Sequence, residues 1–271
     1  MKRARAAAGQ RHLRVIAPSL RFPITICVLC YGANAALANR FLQSLYENTD
    51  SSLFLLRAGL NEVERATREL FNNYAKKFGN ITLFEEPKNI FKNPLMRRMF
   101  HQQPLQSKWV IWADDDSYFT RPDWLQRLAL RIENAPDVSM WGWLHRLWSR
   151  DPSVAEWIRQ SSWYRGVPFV EGTDLDGHSA IEFRFAPGAF WVLRTEVLQK
   201  LQWPDPRLVH ANEDFLLGEA LRQNGFRLEN FNYGVTVNDA PRRNQNAAET
   251  HRLTFERGLG LPSCSAPPRR G

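Results

Sequence analysis

Short apolar runs alternate with longer amphipathic segments over the first half of the chain. The run PITICVLCYG is apolar and ends in glycine, which is typical of a buried parallel strand. Three more strands are predicted at SLFLLRA, ITLFEE and KWVIWA (52–58, 81–86 and 108–113). Between them, helices are predicted at 33–47, 60–78 and near 93–103. Strands separated by helices predict an α/β fold with a mostly parallel, Rossmann-type sheet flanked by helices.

The alternation is less regular in the second half. Pro122 opens RPDWLQRLALRIENA and suits the first turn of a helix. Residues 147–180 mix tryptophan with Gly, Pro, Ser and Asp without a clear period, which favours a functional loop. The other predicted elements are a strand at 137–146, ordered structure over 181–201, a helix closed by Gly225 and a final hairpin or edge strand at 227–238.

The net charge of +8 is concentrated at the two ends of the chain. Residues 1–23 carry six basic and no acidic side chains, and residues 241–271 carry six basic and two acidic ones. We therefore predict one domain over 23–240 between a flexible basic arm at 1–22 and a basic tail at 241–271. Such ends either bind a polyanion or keep the termini solvated.

Targeting signals and cysteines bear on the cellular compartment. No run approaches the roughly 20 apolar residues that span a bilayer, so no transmembrane segment is predicted. The acid-free start has no apolar centre for a signal peptide, although it is compatible with a transit peptide. Cys27 and Cys30 would point to opposite faces of one strand and are predicted to be core thiols. These features favour a cytoplasmic protein.

Three adjacent carboxylates follow an apolar run in VIWADDDSYF, residues 110–119. Ligands bind beyond the carboxyl ends of parallel strands, where this run delivers them. Strand alternation would place Asp114 and Asp116 on one side and Asp115 on the other. Two carboxylates facing one point require a cation, and oxygen ligands favour Mn²⁺ or Mg²⁺. The alternative is that the triplet caps the helix that begins near Arg121.

Two classes of metal-dependent enzyme fit such a D-x-D. Phosphatases of the haloacid-dehalogenase kind place this motif after an apolar strand and attack phosphorus with the first aspartate. Their motif usually opens the fold and precedes a small residue, whereas Tyr118 stands at that position here. The other class transfers a sugar from a nucleotide sugar. A non-catalytic module that binds nucleic acid or glycans is a third alternative.

A second pattern favours sugar transfer. APGAFWVLRTEVL at 186–198, followed by HANEDFLLGEAL at 210–221, resembles the C-terminal half of the GT-A glycosyltransferases. It is most similar to the fringe and β-galactosyltransferase groups, in which a small Gly/Ala turn precedes a strand and a later Glu-Asp opens a helix. Together with the D-x-D, the resemblance covers about residues 23–240. It implies a GT-A-like fold and a metal-dependent hexosyltransferase that uses a nucleoside-diphosphate sugar.

The resemblance also implies roles for the acidic residues. Asp116 corresponds to the direct metal ligand, and Asp114 to the one that reaches the ribose or the metal through water. Asp214 corresponds to the base that deprotonates the acceptor hydroxyl in inverting members, with Glu213 as the fallback. For Asp214 to be basic at the start of a helix, burial or hydrogen bonds must offset the helix dipole.

Many GT-A enzymes take a third metal ligand, often histidine, from a strand beyond the Glu-Asp helix. The corresponding segment, VTVNDAPRRN, offers Asn238 and Asp239, while His251 follows later. We favour Asp239. His210, just before Glu213, is a candidate acceptor contact or an ordinary structural histidine.

Donor contacts are predicted where the first strands end. The candidates are Tyr31, Gly32, Asn34, Arg57, Arg97 or Arg98 on the helix before the triplet, Asp114 and Asp115. Arginine would bind the pyrophosphate. The rings of Trp141, Trp143, Trp163 and Tyr164 are candidates for stacking on a sugar or base, with at least half of them expected in the core. The acceptor is expected to be a glycan, a protein, or a hydroxymethylated base in DNA bound through the basic tails.

Overall fold

The computed structural model describes residues 24–210 and 212–237. The strands are β1 (Ile24–Tyr31), β2 (Phe54–Asn61), β3 (Ile81–Glu86), β4 (Trp109–Asp114), β5 (Tyr118–Phe119), β6 (Val138–Gly142), β7 (His145–Ser149), β8 (Val170–Thr173), β9 (Ser179–Phe185), β10 (Phe190–Arg194), β11 (Arg227–Asn230) and β12 (Val235–Thr236). The helices are α1 (Ala35–Asn48), α2 (Arg65–Phe78), α3 (Lys92–His101), α4 (Trp124–Asn134), α5 (Pro152–Arg159), α6 (Thr195–Leu201) and α7 (Glu213–Gln223).

A seven-stranded sheet organises the molecule, in the order β11-β6-β10-β4-β1-β2-β3. Neighbouring strands run parallel except at β10, which is antiparallel to both β4 and β6. The predicted mostly parallel α/β sheet flanked by helices is therefore confirmed. Because β10 lies beside β4, the segment that precedes β10 reaches the edge at which β4 ends.

The central strands are apolar throughout because helices cover both faces of the sheet. In β4, Trp109, Ile111 and Ala113 pack on the side of α1 and α4, whereas Val110 and Trp112 pack on the side of α3 and α7. The cysteines of β1 follow the same alternation, with Cys27 in one core and Cys30 in the other, as predicted. Both cysteines are buried.

The segment predicted to be a loop, 147–180, is folded, so this prediction was wrong. It holds α5, β8 and parts of β7 and β9, and these three strands form a separate antiparallel sheet in the order β7-β9-β8. Helix α5 buries Val154, Ala155, Trp157 and Ile158 within two turns. So short a helix shows too few repeats for its period to be recognised.

Several predicted boundaries also move. The strand predicted at 137–146 is two strands, β6 and β7, which belong to different sheets. The second strand runs on to Asn61, beyond its predicted end at 58. Beyond β11, the edge of the large sheet, β12 pairs with β5 in a two-stranded ribbon. Within the described ranges, no helix is long and apolar enough to cross a membrane.

Candidate active site

The acidic triplet forms a turn at the carboxyl end of β4. The strand ends at Asp114, and the N–H of Ser117 donates to the Asp114 carbonyl at 3.1 Å. Asp115 is buried, with 1% of its surface exposed, whereas Asp114 and Asp116 are partly exposed. The triplet thus presents two accessible carboxylates. The turn accounts for the difference in exposure between Asp115 and its two neighbours, and the predicted strand alternation does not.

The Gly/Ala turn is bonded directly to the acidic turn. The Ala189 carbonyl accepts the N–H of Asp114 at 3.2 Å and the hydroxyl of Ser117 at 2.7 Å. The next residue, Phe190, begins β10 and pairs with Ala113 of β4. Two motifs that lie about seventy residues apart in the sequence are therefore held side by side.

Lys92 connects the acidic turn to the Glu-Asp pair. Its Nζ lies 3.2 Å from Asp114 Oδ1, 3.4 Å from Asp114 Oδ2 and 2.7 Å from Glu213 Oε1. The Lys92 side chain is mostly buried, with 14% of it exposed. Lys92 was not among the predicted site residues. Its position offered a signal, because the start of a helix that follows a parallel strand lies at the carboxyl edge of the sheet.

The pKa values of the first two residues of α7, Glu213 and Asp214, are shifted in opposite directions. Burial raises the pKa of Glu213, but its ion pair and hydrogen bond with Lys92 outweigh burial and leave the pKa below its usual value. His210 lowers this pKa further. For Asp214, burial and the neighbouring Glu213 carboxylate raise the pKa from 3.8 to about 7, against the opposing effects of Lys92 and the Gly188 N–H. Burial thus supplies the compensation that a base at a helix start requires.

Gly188 fits between Lys92 and Asp214 because it has no side chain. A Cβ atom at this position would lie 2.6 Å from Lys92 Nζ and 2.7 Å from Asp214 Oδ1. These distances are shorter than van der Waals contact, so an alanine would displace the ammonium, the carboxylate or both. The small residue expected in the Gly/Ala turn therefore leaves room for the ends of two charged side chains.

Three predicted donor contacts lie at the carboxyl edge of β1. Tyr31 ends the strand with 43% of its surface exposed, and Gly32 has a positive φ of 66°. The Asn34 amide donates to the Tyr31 carbonyl at 2.9 Å and so fixes the turn into α1. Leu29 of β1 pairs with Asp114 of β4. These residues therefore border the acidic turn.

The structure does not place Arg57 at this edge. It lies in the middle of β2 and donates to the carbonyls of Met99, Gln103 and Pro104 at the far end of α3. The ten residues of α3 span about 15 Å, which separates this end from Lys92. Arg57 closes the end of a helix, and its assignment to the donor site is corrected because β2 extends farther than predicted.

The arginines of α3 are engaged away from the triplet. Arg98 forms an ion pair with Glu86 at the end of edge strand β3 and donates to Gln102 at 3.2 Å. Arg97 donates to the carbonyls of Gln202 and Pro204. Lys92 is the basic residue of α3 that lies next to the acidic turn.

The carboxylate oxygens at the end of β4 suit a divalent cation. Asp114 and Asp116 offer carboxylate oxygens from a single turn, as Mn²⁺ and Mg²⁺ prefer. Lys92 already places positive charge against Asp114. One ammonium faces the carboxylates of Asp114, Glu213 and Asp214, so negative charge remains in excess when all three are ionised. The predicted third ligand, Asp239, and its alternatives Asn238 and His251 lie outside the described residues.

A second group of possible metal ligands lies elsewhere. Atoms of Asp174, Asp176 and His178 come within 4.8 Å of one another in the turn between β8 and β9. The Asp174 carboxylate accepts the N–H groups of Asp176 and His178 at 3.0 and 2.9 Å. Ordinary turn formation accounts for this cluster.

The aromatic candidates divide as expected. Trp141 and Trp163 are core residues, with 3% and 1% of their surfaces exposed. Trp143 is 44% exposed and lines a cavity of about 320 Å³ with Phe190 and Phe231. Because Trp141 and Trp163 lie in the core, neither ring is available for stacking on a ligand.

A family model described as "Glycosyltransferase like family 2" matches residues 21–254, which is most of the chain. The chain belongs to this family. The GT-A-type glycosyltransferase predicted from the motifs is thereby confirmed, and this member of family 2 is an enzyme of glycosyl transfer. No curated protein is similar enough to count as a match.

Solved structures show the same fold for this family 2 chain. Mannosyltransferase PcManGT from Pyrobaculum calidifontis, in complex with GDP-Man and Mn²⁺, has a TM-score of 0.59 at 17% identity, over 93% of this chain and 67% of that one. S. aureus TarS 1-349 has a TM-score of 0.52 at 16% identity, over 89% and 66%. Its complex with UDP also scores 0.52, at 18% identity. At these identities the similarity establishes the fold.

Proposed function

We propose that this family 2 enzyme transfers a hexose from a nucleoside-diphosphate sugar to an acceptor hydroxyl, with inversion, in a reaction that depends on Mn²⁺ or Mg²⁺. The observation that carries the proposal is the Asp214 carboxylate, whose Oδ1 is shielded from solvent although the residue is partly exposed. Its pKa of about 7 suits a general base near neutral pH, and it lies in the same charged cluster as Asp114.

Asp214 and Glu213 have different roles in this proposal. The lowered pKa of Glu213 makes it a weak base, and its carboxylate holds Lys92. Asp214 accepts the proton of the acceptor hydroxyl as that oxygen forms its bond to the anomeric carbon. The bond from that carbon to the donor phosphate oxygen breaks, and the nucleoside diphosphate departs from the opposite face. One displacement from the face opposite the leaving group inverts the configuration.

The metal would be held by Asp114 and Asp116 at the end of β4. When bound, such an ion neutralises charge on the diphosphate as a Lewis acid. Binding of GDP-Man and Mn²⁺ by PcManGT, whose fold this chain shares, supports the assignment. We propose Tyr31, Gly32, Asn34 and the buried Asp115 as the nucleoside side of the donor site. Asp239 stays a predicted third ligand.

Our proposals for the acceptor and for the location of the enzyme rest on the sequence. We propose a glycan or a protein as acceptor, and a hydroxymethylated base in DNA as the alternative that the basic ends would suit. DNA binding through those ends should weaken steeply with salt. An activity that is unaffected by salt and survives deletion of residues 1–22 would argue against a DNA acceptor. The cytoplasmic location likewise remains a proposal.

A panel of nucleoside-diphosphate hexoses, screened for release of nucleoside diphosphate with Mn²⁺, tests the reaction. We expect one or a few donors to be hydrolysed and EDTA to abolish the release. Asp214→Asn should lower turnover by about 100-fold or more because a general base contributes at least that much. Donor affinity, measured separately by titration, should change by less than about threefold.

Controls separate this reaction from its alternatives. The Asp176→Asn variant removes an exposed carboxylate of the turn between β8 and β9 and should retain wild-type turnover. Family 2 membership favours glycosyl transfer over a haloacid-dehalogenase-like phosphatase, and release of inorganic phosphate from simple phosphate esters would reverse that preference. A non-catalytic module would release no diphosphate from any donor. Full turnover in Asp214→Asn would remove Asp214 from the mechanism.

A further inference from the structure

We propose that Lys92 is a substitute cation, which occupies Asp114 while the donor is absent and so makes metal binding depend on the nucleoside diphosphate. This inference rests on the proposed function, because it assigns the metal to Asp114 and Asp116. It adds a lysine to the site and gives that lysine a competitive role.

The position of Lys92 is unusual for a lysine in a helix. It is the first residue of α3, whose first turn contains no acidic residue. The amino end of a helix carries partial positive charge, so a lysine there is electrostatically unfavourable. The carboxylates of Asp114 and Glu213 offset this cost through contacts of 3.2 and 2.7 Å. The site thus holds the ammonium against the preference of its own helix.

Hydrogen bonds in the loop before α3 hold the backbone of Lys92 in position. The Asn61 side chain, at the end of β2, accepts the Ile90 N–H at 3.0 Å and donates to the Asn89 side chain at 2.8 Å. Phe91 has a positive φ of 67°, and the Asn93 N–H donates to the Val209 carbonyl at 3.1 Å. The backbone on both sides of Lys92 is therefore held in place, while the long side chain can change partners.

The contacts of the ammonium indicate which partner it would leave. Lys92 Nζ is 0.5 Å closer to Glu213 Oε1 than to Asp114 Oδ1, at 2.7 against 3.2 Å. The Asp114 side chain is 29% exposed, whereas that of Glu213 is 6% exposed. A divalent cation arriving from solvent therefore competes with Lys92 at Asp114, the more accessible and more weakly held partner. The displaced ammonium keeps Glu213 and is free to face the diphosphate oxygens.

Removing the ammonium should therefore strengthen metal binding in the absence of a nucleotide. We would titrate Mn²⁺ into the wild type, Lys92→Met, Lys92→Arg and Lys88→Met by calorimetry, each with and without GDP or UDP. Lys88 is an exposed lysine of the same loop and serves as the matched control. For the wild type we expect GDP or UDP to tighten Mn²⁺ binding by about tenfold or more, because its phosphates complete the metal shell and attract the ammonium.

Lys92→Met should bind Mn²⁺ alone about tenfold more tightly than the wild type, because a positive charge next to the metal site is gone. The gain in affinity on adding nucleotide should shrink accordingly. Lys92→Arg restores a cation and should resemble the wild type, as should Lys88→Met. An unchanged or weaker Mn²⁺ affinity in folded Lys92→Met would overturn the inference.

Lys92→Met leaves buried carboxylates without their partner, so a second variant guards against misfolding. Lys92→Met/Glu213→Gln removes one charge of each sign and should still bind Mn²⁺ more tightly than Glu213→Gln alone. Equal affinities in that pair would also overturn the inference. If the wild type binds no Mn²⁺ with either nucleotide, the metal assignment of the proposed function fails and the inference falls with it. If the wild type binds Mn²⁺ but Lys92 has no effect on its affinity, the inference alone fails.

Discussion

Replacing Asp214 with asparagine should stabilise the protein while it impairs turnover. Burial is the largest cause that raises the Asp214 pKa from 3.8 to about 7, and Glu213 is the next. An unfolded chain loses this proton near pH 4, whereas the folded protein holds it until about pH 7. The stability that the protonated carboxyl provides is therefore complete below pH 4 and is lost as the pH rises to 7. The asparagine side chain of the variant would carry no charge at any pH.

The size of the effect follows from the shift in pKa. Each unit is worth about 1.4 kcal/mol, so the full shift corresponds to about 4 kcal/mol of unfolding free energy. Linkage places less than half of this loss below pH 5 and more than half between pH 5 and pH 8. Stability given up at a functional carboxylate is a common feature of enzyme sites.

Urea unfolding at pH 5 and pH 8, with EDTA present so that no bound cation changes the titration, measures the difference. The advantage of Asp214→Asn over the wild type should grow by about 2 to 3 kcal/mol between the two pH values. Asp176→Asn, at an exposed position, should differ from the wild type by less than about 0.5 kcal/mol at both. An advantage that stays constant or shrinks with pH would refute the reasoning, because it would mean that Asp214 is ionised at little cost.

Three further changes separate roles within and around the site. Asp116→Ala should abolish the Mn²⁺ dependence of donor hydrolysis, and a Mn²⁺ titration that matches the wild type would remove Asp116 from the metal site. Gly188→Ala inserts a methyl group 2.6 Å from Lys92 Nζ and should lower kcat by about tenfold or more with a small change in Tm; normal kcat would show that the turn yields freely. Arg57→Met leaves three carbonyls without their donor and should cost about 3 kcal/mol in urea unfolding without changing donor KM; a raised KM would return Arg57 to the donor site.

The parallel half of the fold could be predicted because its strands are covered on both faces. Such strands appear as continuous apolar runs, and β3 occupies its predicted range, 81–86. The segment 147–180 gave no such signal. In β8 no residue is buried, so the strand has no inward and outward pattern, and α5 is only eight residues long. Its packing partners come from distant parts of the chain, which local periodicity does not reveal.

The candidate site shows the same division between local and distant information. Asp116 and Asp214 were predicted because they lie in recognisable motifs, although their roles remain to be tested. Lys92 belongs to no motif, and a lysine at a helix start resembles a solvated surface charge. Its significance depends on Glu213, more than a hundred residues later in the sequence. Arg57 was misassigned for a related reason, since only the observed length of β2 shows that it lies in mid-strand.

The insertion of β10 between β4 and β6 also has a consequence for how the protein is made. The ribosome completes β1 to β4 and the acidic turn long before it reaches Gly188 and Asp214. A partial chain that ends before β10 lacks Asp214, the proposed base. It also leaves the edges of β4 and β6 unpaired, and open strand edges invite association between chains. Incomplete products of translation are therefore expected to be inactive and prone to aggregate.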